Sequence, residues 1–272
     1  CALPISHFRK IVLGYYHEHG RHDLPWRRTT RTPYQVLVSE IMLQQTQVDR
    51  VLPFYARWMK KFPNFKQLAV ARQADVLRLW KGLGYNSRAL RLHQLAKTIV
   101  SQQKGRLPHD RSGLEALPGI GPYTAGALRV FAFGEPDVFI ETNIRRVFIH
   151  HFFPDEEKVS DDDILALVAR TLPGRNVFEW YSALMDYGAS LPKILKKNPN
   201  TQSRHYAKQS RFEGSDRQIR GKILGVLLEH GRMSKKRLFK HLGDDPERYK
   251  KVLAAMMEEG FVELYRGGVV LV

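Results

Sequence analysis

The sequence predicts a predominantly helical protein, on three observations. Apolar residues recur at helical spacing in segment after segment. Two Gly-x-Gly turns, Gly82-Leu83-Gly84 and Gly119-Ile120-Gly121, each stand between helical stretches. Strand-like residues around a glycine turn occur once, near the C-terminus. The 272 residues are enough for one large or two modest domains with a real core.

Composition narrows the class. Hydrophobic residues make up 43%, which excludes a disordered chain. Lys and Arg number 44 against 27 Asp and Glu, a formal net charge of +17. Such a balance points to a polyanionic partner, nucleic acid before an anionic membrane surface. No apolar run reaches the ~20 residues of a membrane-crossing helix, and no signal peptide is visible. Cys1 is the single cysteine. One thiol excludes an intrachain disulfide framework and a cysteine-built metal or iron–sulfur cluster. A cytoplasmic, nucleoid-associated DNA-binding protein fits these facts.

In chain order, 5–18 is an amphipathic helix, with Ile5, Phe8, Ile11, Val12, Tyr15 and Tyr16 near helical spacing. Residues 20–32 are a polar loop holding Leu24-Pro25-Trp26-Arg27. Pro33 opens a helix running to about Val51. Shorter helices follow over 54–61, 65–70 and 74–79, then a longer one over 88–103. Residues 112–117 and 123–133 flank the second glycine turn, with Pro122 at the first helical position. Gly134-Glu135-Pro136 ends that helix. Thr142 or Asn143 caps the next, to about Phe152. Helices over 161–171 and 178–190 precede the basic stretch 191–211. That stretch either tracks phosphates with Lys193, Lys196, Lys197, Arg204, Lys208 and Arg211 or is a solvated linker. From Gly214 the texture changes to helices over 216–229, 234–242 and 246–258. Two short strands around Arg266-Gly267-Gly268 close the chain. Three helices and a hairpin resemble a winged helix over 211–272, a module for DNA or for protein docking.

Three places carry chemistry. Glu40 follows Val36 and Leu37 by four and three residues, so it shares their apolar stripe, and Gln44 follows one turn later. A carboxylate on an apolar face has a raised pKa, the state a general acid needs near neutral pH. The alternative is a buried scaffold carboxylate. Glu141 ends an apolar run at a helix N-terminus, which keeps a carboxylate ionised. One acid with a raised pKa beside one held ionised is the pairing that cleaves glycosidic bonds. Lastly, the Gly119-Ile120-Gly121 turn presents free N–H groups at the start of a helix, an anion site suited to a DNA phosphate. Tyr85, on the first glycine turn, is either a wedge for a base stack or a core tyrosine.

Leu24-Pro25-Trp26-Arg27, the run from Tyr34 to Val48, Gly82 to Arg88, Leu117 to Gly126 and Glu141 to Val147 occur together and in order. Over roughly 1–190 the chain resembles the helix–hairpin–helix (HhH-GPD) DNA glycosylases, and within them the adenine glycosylases of the MutY type. The resemblance implies an all-α fold, two helical lobes around a cleft over 1–210, followed by the small winged-helix-like domain over 211–272. It also implies a monomeric, monofunctional DNA glycosylase acting on double-stranded DNA with a mismatched or damaged base, adenine opposite 8-oxoguanine or guanine first. Thymine or uracil opposite guanine, hypoxanthine, or non-catalytic recognition of damage are the alternatives. Glu40 matches the acid that protonates the purine N7. Glu141 falls where the family has an Asp that stabilises the sugar cation, and Tyr123 helps in the same pocket. Tyr123 also stands where bifunctional relatives carry a Schiff-base Lys, so no lyase step is expected there. Tyr85 matches the intercalating residue. Gln44, Gln45, Thr46 and Arg88 match DNA-contacting positions, with Gly119 and Gly121; Asn143, counted with them, matches the Asn that aids the catalytic carboxylate. Trp26, Arg27 and Leu43 match the wall of the base pocket.

Three departures from the family accompany the match. Glu141 is one methylene longer than Asp. The four cluster cysteines correspond by spacing to Pro192, Pro199, Gln202 and Lys208, so neither an iron–sulfur cluster nor any other metal or cofactor is expected. The family's Nudix-like C-terminal domain has no counterpart in this sequence, and Ser182 replaces an adenine-contacting amide or carboxylate.

Overall fold

A computed structural model describes residues 4–208, 211–243 and 245–272. Cys1 and the boundary expected at residue 210 lie outside them. The helices, in order, are α1 (Ile5–His19), α2 (Pro33–Leu43), α3 (Val48–Lys61), α4 (Phe65–Ala69), α5 (Gln73–Trp80), α6 (Ser87–Gln102), α7 (Arg111–Glu115), α8 (Pro122–Phe133), α9 (Thr142–Phe152), α10 (Asp161–Thr171), α11 (Val177–Leu195), α12 (Asp216–His230), α13 (Lys235–Leu242) and α14 (Pro246–Glu258). The strands β1 (Val262–Tyr265) and β2 (Gly268–Leu271) pair antiparallel, Val262 opposite Leu271 and Tyr265 opposite Gly268. Arg266 and Gly267 between them both have positive φ, as the tight right-twisted hairpin turn requires. The described residues fall into two compact units, one from 4–40 and 107–208, the other from 41–106, 211–243 and 245–272.

The first unit is built on α11. Its turns bury Val177, Trp180, Tyr181, Leu184 and Leu191, and it packs against α1 and α9. Phe8 of α1 enters that layer edge-on to Phe148, Phe152 and Trp180, with ring centroids 4.9–5.7 Å apart. These are the favoured aromatic geometries. Side-chain caps fix several starts: Asp110 accepts from the Gly113 N–H, and Ser160 from the Asp163 N–H.

The second unit stacks α4 and α5 on α6. Trp58 of α3 meets Trp80 of α5 edge-on at 5.4 Å, both fully buried. The C-terminal segment closes its own core from Ile223, Leu227, Leu238, Val252, Met256, Phe261 and Val269. The Gln73 side-chain amide donates to the Gly260 carbonyl at 2.9 Å, tying the segment to α5.

Two expectations need correction. The helix from Pro33 does not reach Val51. It stops at Leu43, Gln45 takes a left-handed φ of 54°, and α3 restarts at Val48 and runs through Pro53. The cause is tertiary. The Arg88 guanidinium gathers the carbonyls of Ile41, Met42 and Gln44, satisfying the helix end and permitting the turn. Gln44 therefore lies beyond the helix and not on the Glu40 stripe. The second correction concerns 191–208, the described part of the basic stretch before Arg211, which is not uniformly solvated: α11 continues through Pro192, and Pro199, Asn200 and Ser203 are buried.

At Gly188, α11 packs directly against the backbone of α9. A Cβ there would sit 2.2 Å from the Asn143 carbonyl oxygen of α9. Backbone atoms cannot yield as a flexible side chain does. Gly188→Ala is expected to lower stability by about 2–3 kcal/mol, read as a lower midpoint in urea with an unchanged slope. An unchanged midpoint would show that α9 and α11 separate freely.

Candidate active site

In α2 the residues Val36, Leu37, Val38, Ser39, Ile41 and Met42 are all buried, so the helix is enclosed and not merely amphipathic. Glu40 is carried into that setting and is only 6% exposed. Tyr123 reaches it from the first turn of α8, its hydroxyl donating to Glu40 Oε2 at 2.6 Å. Burial raises the Glu40 pKa from the usual carboxylate range to about 7. The charge of Glu141 adds to the rise, and the Tyr123 hydroxyl and Arg27 oppose it. Burial raises the phenol of Tyr123 well above its ordinary value, and the charges of Glu40 and Glu141 push it further, so it stays a donor. Glu40 and Tyr123 therefore both lie within the field of Glu141.

Glu141 caps α9. Its Oε1 accepts the N–H groups of Asn143 and Ile144 at 2.7 and 2.8 Å, and its Oε2 accepts the Asn143 side-chain amide at 3.2 Å. The longer acid thus reaches the cap that a shorter one ordinarily fills. The helix end does not hold its pKa below the ordinary range, as the sequence suggested. Burial is the larger effect and raises it, against the two N–H groups, Arg146 and Arg145. Behind the cap, Arg146 donates to Asn143 Oδ1 at 2.8 Å and to the Gly188 carbonyl at 2.6 Å.

Arg27 follows Trp26 in a short 3-10 turn, and both side chains are buried. Its guanidinium grips Asp186 of α11 in a two-pronged pair at 2.7 and 2.9 Å. Arg21 donates to the same carboxylate through its backbone N–H and its guanidinium. These partners pull the Asp186 pKa below its usual value against the effect of burial. Arg27 is thereby a fixed cation whose field opposes the rise at Glu40. Sequence reading passed over Asp186, although the signal that marked Glu40 was present: an acid within an apolar helix. Ser182, one turn earlier, is fully buried.

The glycine hairpin also lies in the first unit. Gly119 has φ 80°, Gly121 precedes Pro122 at the start of α8, and both glycines are exposed. Among the described residues no side chain caps this helix, and Ile120 is tucked inward. The N–H groups of its first turn have no intrahelical partner.

Leu43, Gln44, Gln45, Thr46, Tyr85 and Arg88 belong to the second unit. Gln45 is exposed, and Leu43, Gln44, Thr46 and Tyr85 are half-buried. Arg88, matched to a DNA-contacting position, is 5% exposed. Beyond the carbonyls already named, it donates to the Gly84 carbonyl at 3.0 Å and to Thr46 Oγ1 at 3.2 Å. Burial lowers its pKa to about 10. The geometry makes Arg88 a staple between the Gln44–Thr46 turn and the Gly84–Tyr85 turn.

Residues 38–169 match the HhH-GPD superfamily base excision DNA repair proteins. An adenine DNA glycosylase of Mycolicibacterium smegmatis is 35% identical over 269 residues, 93% of this chain and 92% of that protein. One from Mycobacterium tuberculosis is 36% identical over 241 residues, covering 81% of this chain and 79% of that one. Among solved structures, a thermostable thymine-DNA glycosylase superimposes with a TM-score of 0.60 at 27% identity, over 68% of this chain and 86% of that one.

The four positions that correspond to cluster cysteines do not fit an iron–sulfur cluster, which is held by thiolates. Pro192 is inside α11, Pro199 is buried, Gln202 is an amide and Lys208 is an exposed cation. Among the described residues no group of three or more His, Cys, Asp or Glu is placed to hold a metal. Amides tie this loop down. The Gln202 side chain donates to the carbonyls of Phe153, Pro154 and Glu156 at 2.7–3.1 Å. Asn198 accepts from Arg146 at 3.1 Å, and buried Asn200 donates to the Thr142 carbonyl at 2.9 Å. The loop thus braces the turn that presents Glu141. Asn200→Ala removes this donor from the Thr142 carbonyl and is expected to cost about 0.5–1.5 kcal/mol of stability. Thermal unfolding measures the loss, and an unshifted midpoint would show that Asn200 bears none of it.

Proposed function

Because the chain belongs to the HhH-GPD superfamily of base excision DNA repair proteins, we propose that it is a DNA glycosylase that removes adenine from a mismatch with 8-oxoguanine or guanine. The observation that carries this reading is Glu40: a buried carboxyl with a pKa near 7, bonded to Tyr123 and within the field of a second carboxylate. Half of such a group is protonated at neutral pH, which suits a general acid.

In this reading the target nucleotide is flipped out of the stack and enclosed. Glu40 passes its proton to the purine N7, and the electrons of the C1′–N9 bond leave with the base. Positive charge develops on the sugar, and the Glu141 carboxylate stabilises it. Water then adds to C1′, gives up a proton that restores Glu40, and leaves an abasic site. Trp26 and Arg27 line the base, with Asp186 holding Arg27 in place. Tyr123 orients Glu40, and its phenol offers no amine for a Schiff base, so the reaction is monofunctional. No cofactor takes part. The exposed hairpin glycines receive a phosphate through backbone N–H groups. Gln44, Gln45, Thr46 and Asn143 meet the duplex, and Tyr85 enters the stack. The enzyme acts as a monomer on double-stranded DNA in the cytoplasm, at the nucleoid. The C-terminal helices and hairpin are a winged-helix-like module joined to it. Among the described residues no helix is long and apolar enough to cross a membrane.

Single-turnover assays on duplexes with adenine opposite 8-oxoguanine or guanine test the substrate. Abasic product is expected from both, with Glu40→Gln slowing release at least a thousandfold while duplex binding persists. Release of thymine but not adenine would move the assignment to the chemistry of the thymine-DNA glycosylase neighbour. Tight binding without release of any base would make the protein a sensor of damage.

The pH–rate profile tests the acid. Glu40 must be protonated, so the rate falls as pH rises through about 7. Glu141 must be ionised, so the rate also falls on the acid side. The Tyr123 hydroxyl favours ionised Glu40, so Tyr123→Phe raises the Glu40 pKa and moves the alkaline limb upward. A limb that stays in place would remove Glu40 as the titrating acid.

A further inference from the structure

Tyr85 is held in an unfavourable backbone conformation, with φ 49° between Gly84 and Asn86. A residue with a Cβ persists there only where its surroundings dictate it. Part of that constraint is backbone: Trp80 Nε1 and Arg88 both donate to the Gly84 carbonyl at 3.0 Å. The other part acts on the ring. The Arg88 guanidinium lies 5.4 Å from the ring centroid, and that of Arg217 lies 5.8 Å from it. Arg217 also donates to the Tyr85 hydroxyl at 2.9 Å.

Arg217 comes from the first turn of α12, 132 residues further along the chain. Its position is set independently of Tyr85. Its neighbour Asp216 pairs with Arg248 of α14 at 2.7 Å, Arg248 donates to the Gly214 carbonyl at 2.7 Å, and Gln73 ties the segment to α5. The C-terminal segment therefore brings a fixed guanidinium to the one half-buried aromatic of the glycine turn. Arginine suits this place, since its planar fork both stacks on a ring and donates to an oxygen.

We propose that Arg217 is a positioning residue that holds Tyr85 ready to enter the base stack, so that the C-terminal segment takes part in interrogating DNA. The inference rests on the reading of Tyr85 as the wedge. A half-exposed tyrosine rotates freely about two bonds, and fixing it before DNA arrives removes that ordering cost from the encounter. Arg217 holds the Tyr85 hydroxyl as well as its ring, so loss of the hydroxyl removes the hydrogen-bonded part of that hold.

The test uses the full chain with a duplex carrying adenine opposite 8-oxoguanine and 2-aminopurine beside the mismatch. Fluorescence reports unstacking, single-turnover kinetics reports excision, and thermal unfolding reports the fold. Arg217→Ala and Tyr85→Phe are each expected to reduce unstacking and to slow excision about tenfold, with the pH profile unmoved. The double variant is expected to be no worse than Arg217→Ala alone. Arg217→Lys recovers part of the loss, and Tyr85→Ala loses more than Tyr85→Phe. Wild-type unstacking in Arg217→Ala and Tyr85→Phe, with Tyr85→Ala defective, overturns the role of Arg217 and leaves the wedge standing. Additive losses overturn it too, by placing Arg217 elsewhere on the DNA. Wild-type unstacking in Tyr85→Ala removes the wedge itself. If Arg217→Ala unfolds, Tyr85→Phe, which keeps the ring, decides alone.

Discussion

The site depends on the burial of one carboxyl. Removing Glu40 from water disfavours its charged form, and the hydrogen bond from Tyr123 recovers only part of the loss. The balance leaves the acid half-protonated near neutrality. Neighbouring features can be understood as keeping that balance. Arg27 supplies a positive field that opposes the rise, and Asp186 fixes Arg27 so that the field does not wander. The phenol of Tyr123 is pushed too high to ionise, so it always donates.

Glu141 meets the opposite demand with a different device. It needs to be charged in a partly buried place, and the start of α9 offers two N–H groups and a side-chain amide. Burial still outweighs them. The pair therefore consists of two raised carboxyls, not one raised and one lowered, and the cap opposes the rise at Glu141. That makes the stiffness of the α9 start important. It is set by the glycine contact with α11 and by Asn200 at the Thr142 carbonyl.

Relatives of this kind use a metal cluster in the loop after α11, by the resemblance drawn from the sequence. Here amides occupy the loop, and they bond to backbone carbonyls of the segments that lead into and out of α9. Arg88 works by the same principle in the other unit. A buried guanidinium collects carbonyls from two turns and lets each adopt a left-handed residue, Gln45 and Tyr85. In both places irregular backbone is made stable by a side chain with several donors.

The sequence alone determined most of the helices, since apolar spacing, caps and glycine turns are local signals. It also singled out Glu40, because an acid among Val36, Leu37 and Ile41 is conspicuous in any order of folding. The tertiary structure decided what depends on partners far along the chain. The break after Leu43 was invisible because its cause, Arg88, lies more than forty residues away. Asp186 was overlooked because its partner Arg27 is 159 residues distant. The direction of the Glu141 pKa shift was misjudged because a helix start is local while burial is not. Periodicity and capping are written in neighbouring residues. Desolvation and the meeting of distant side chains exist only once the chain has closed on itself.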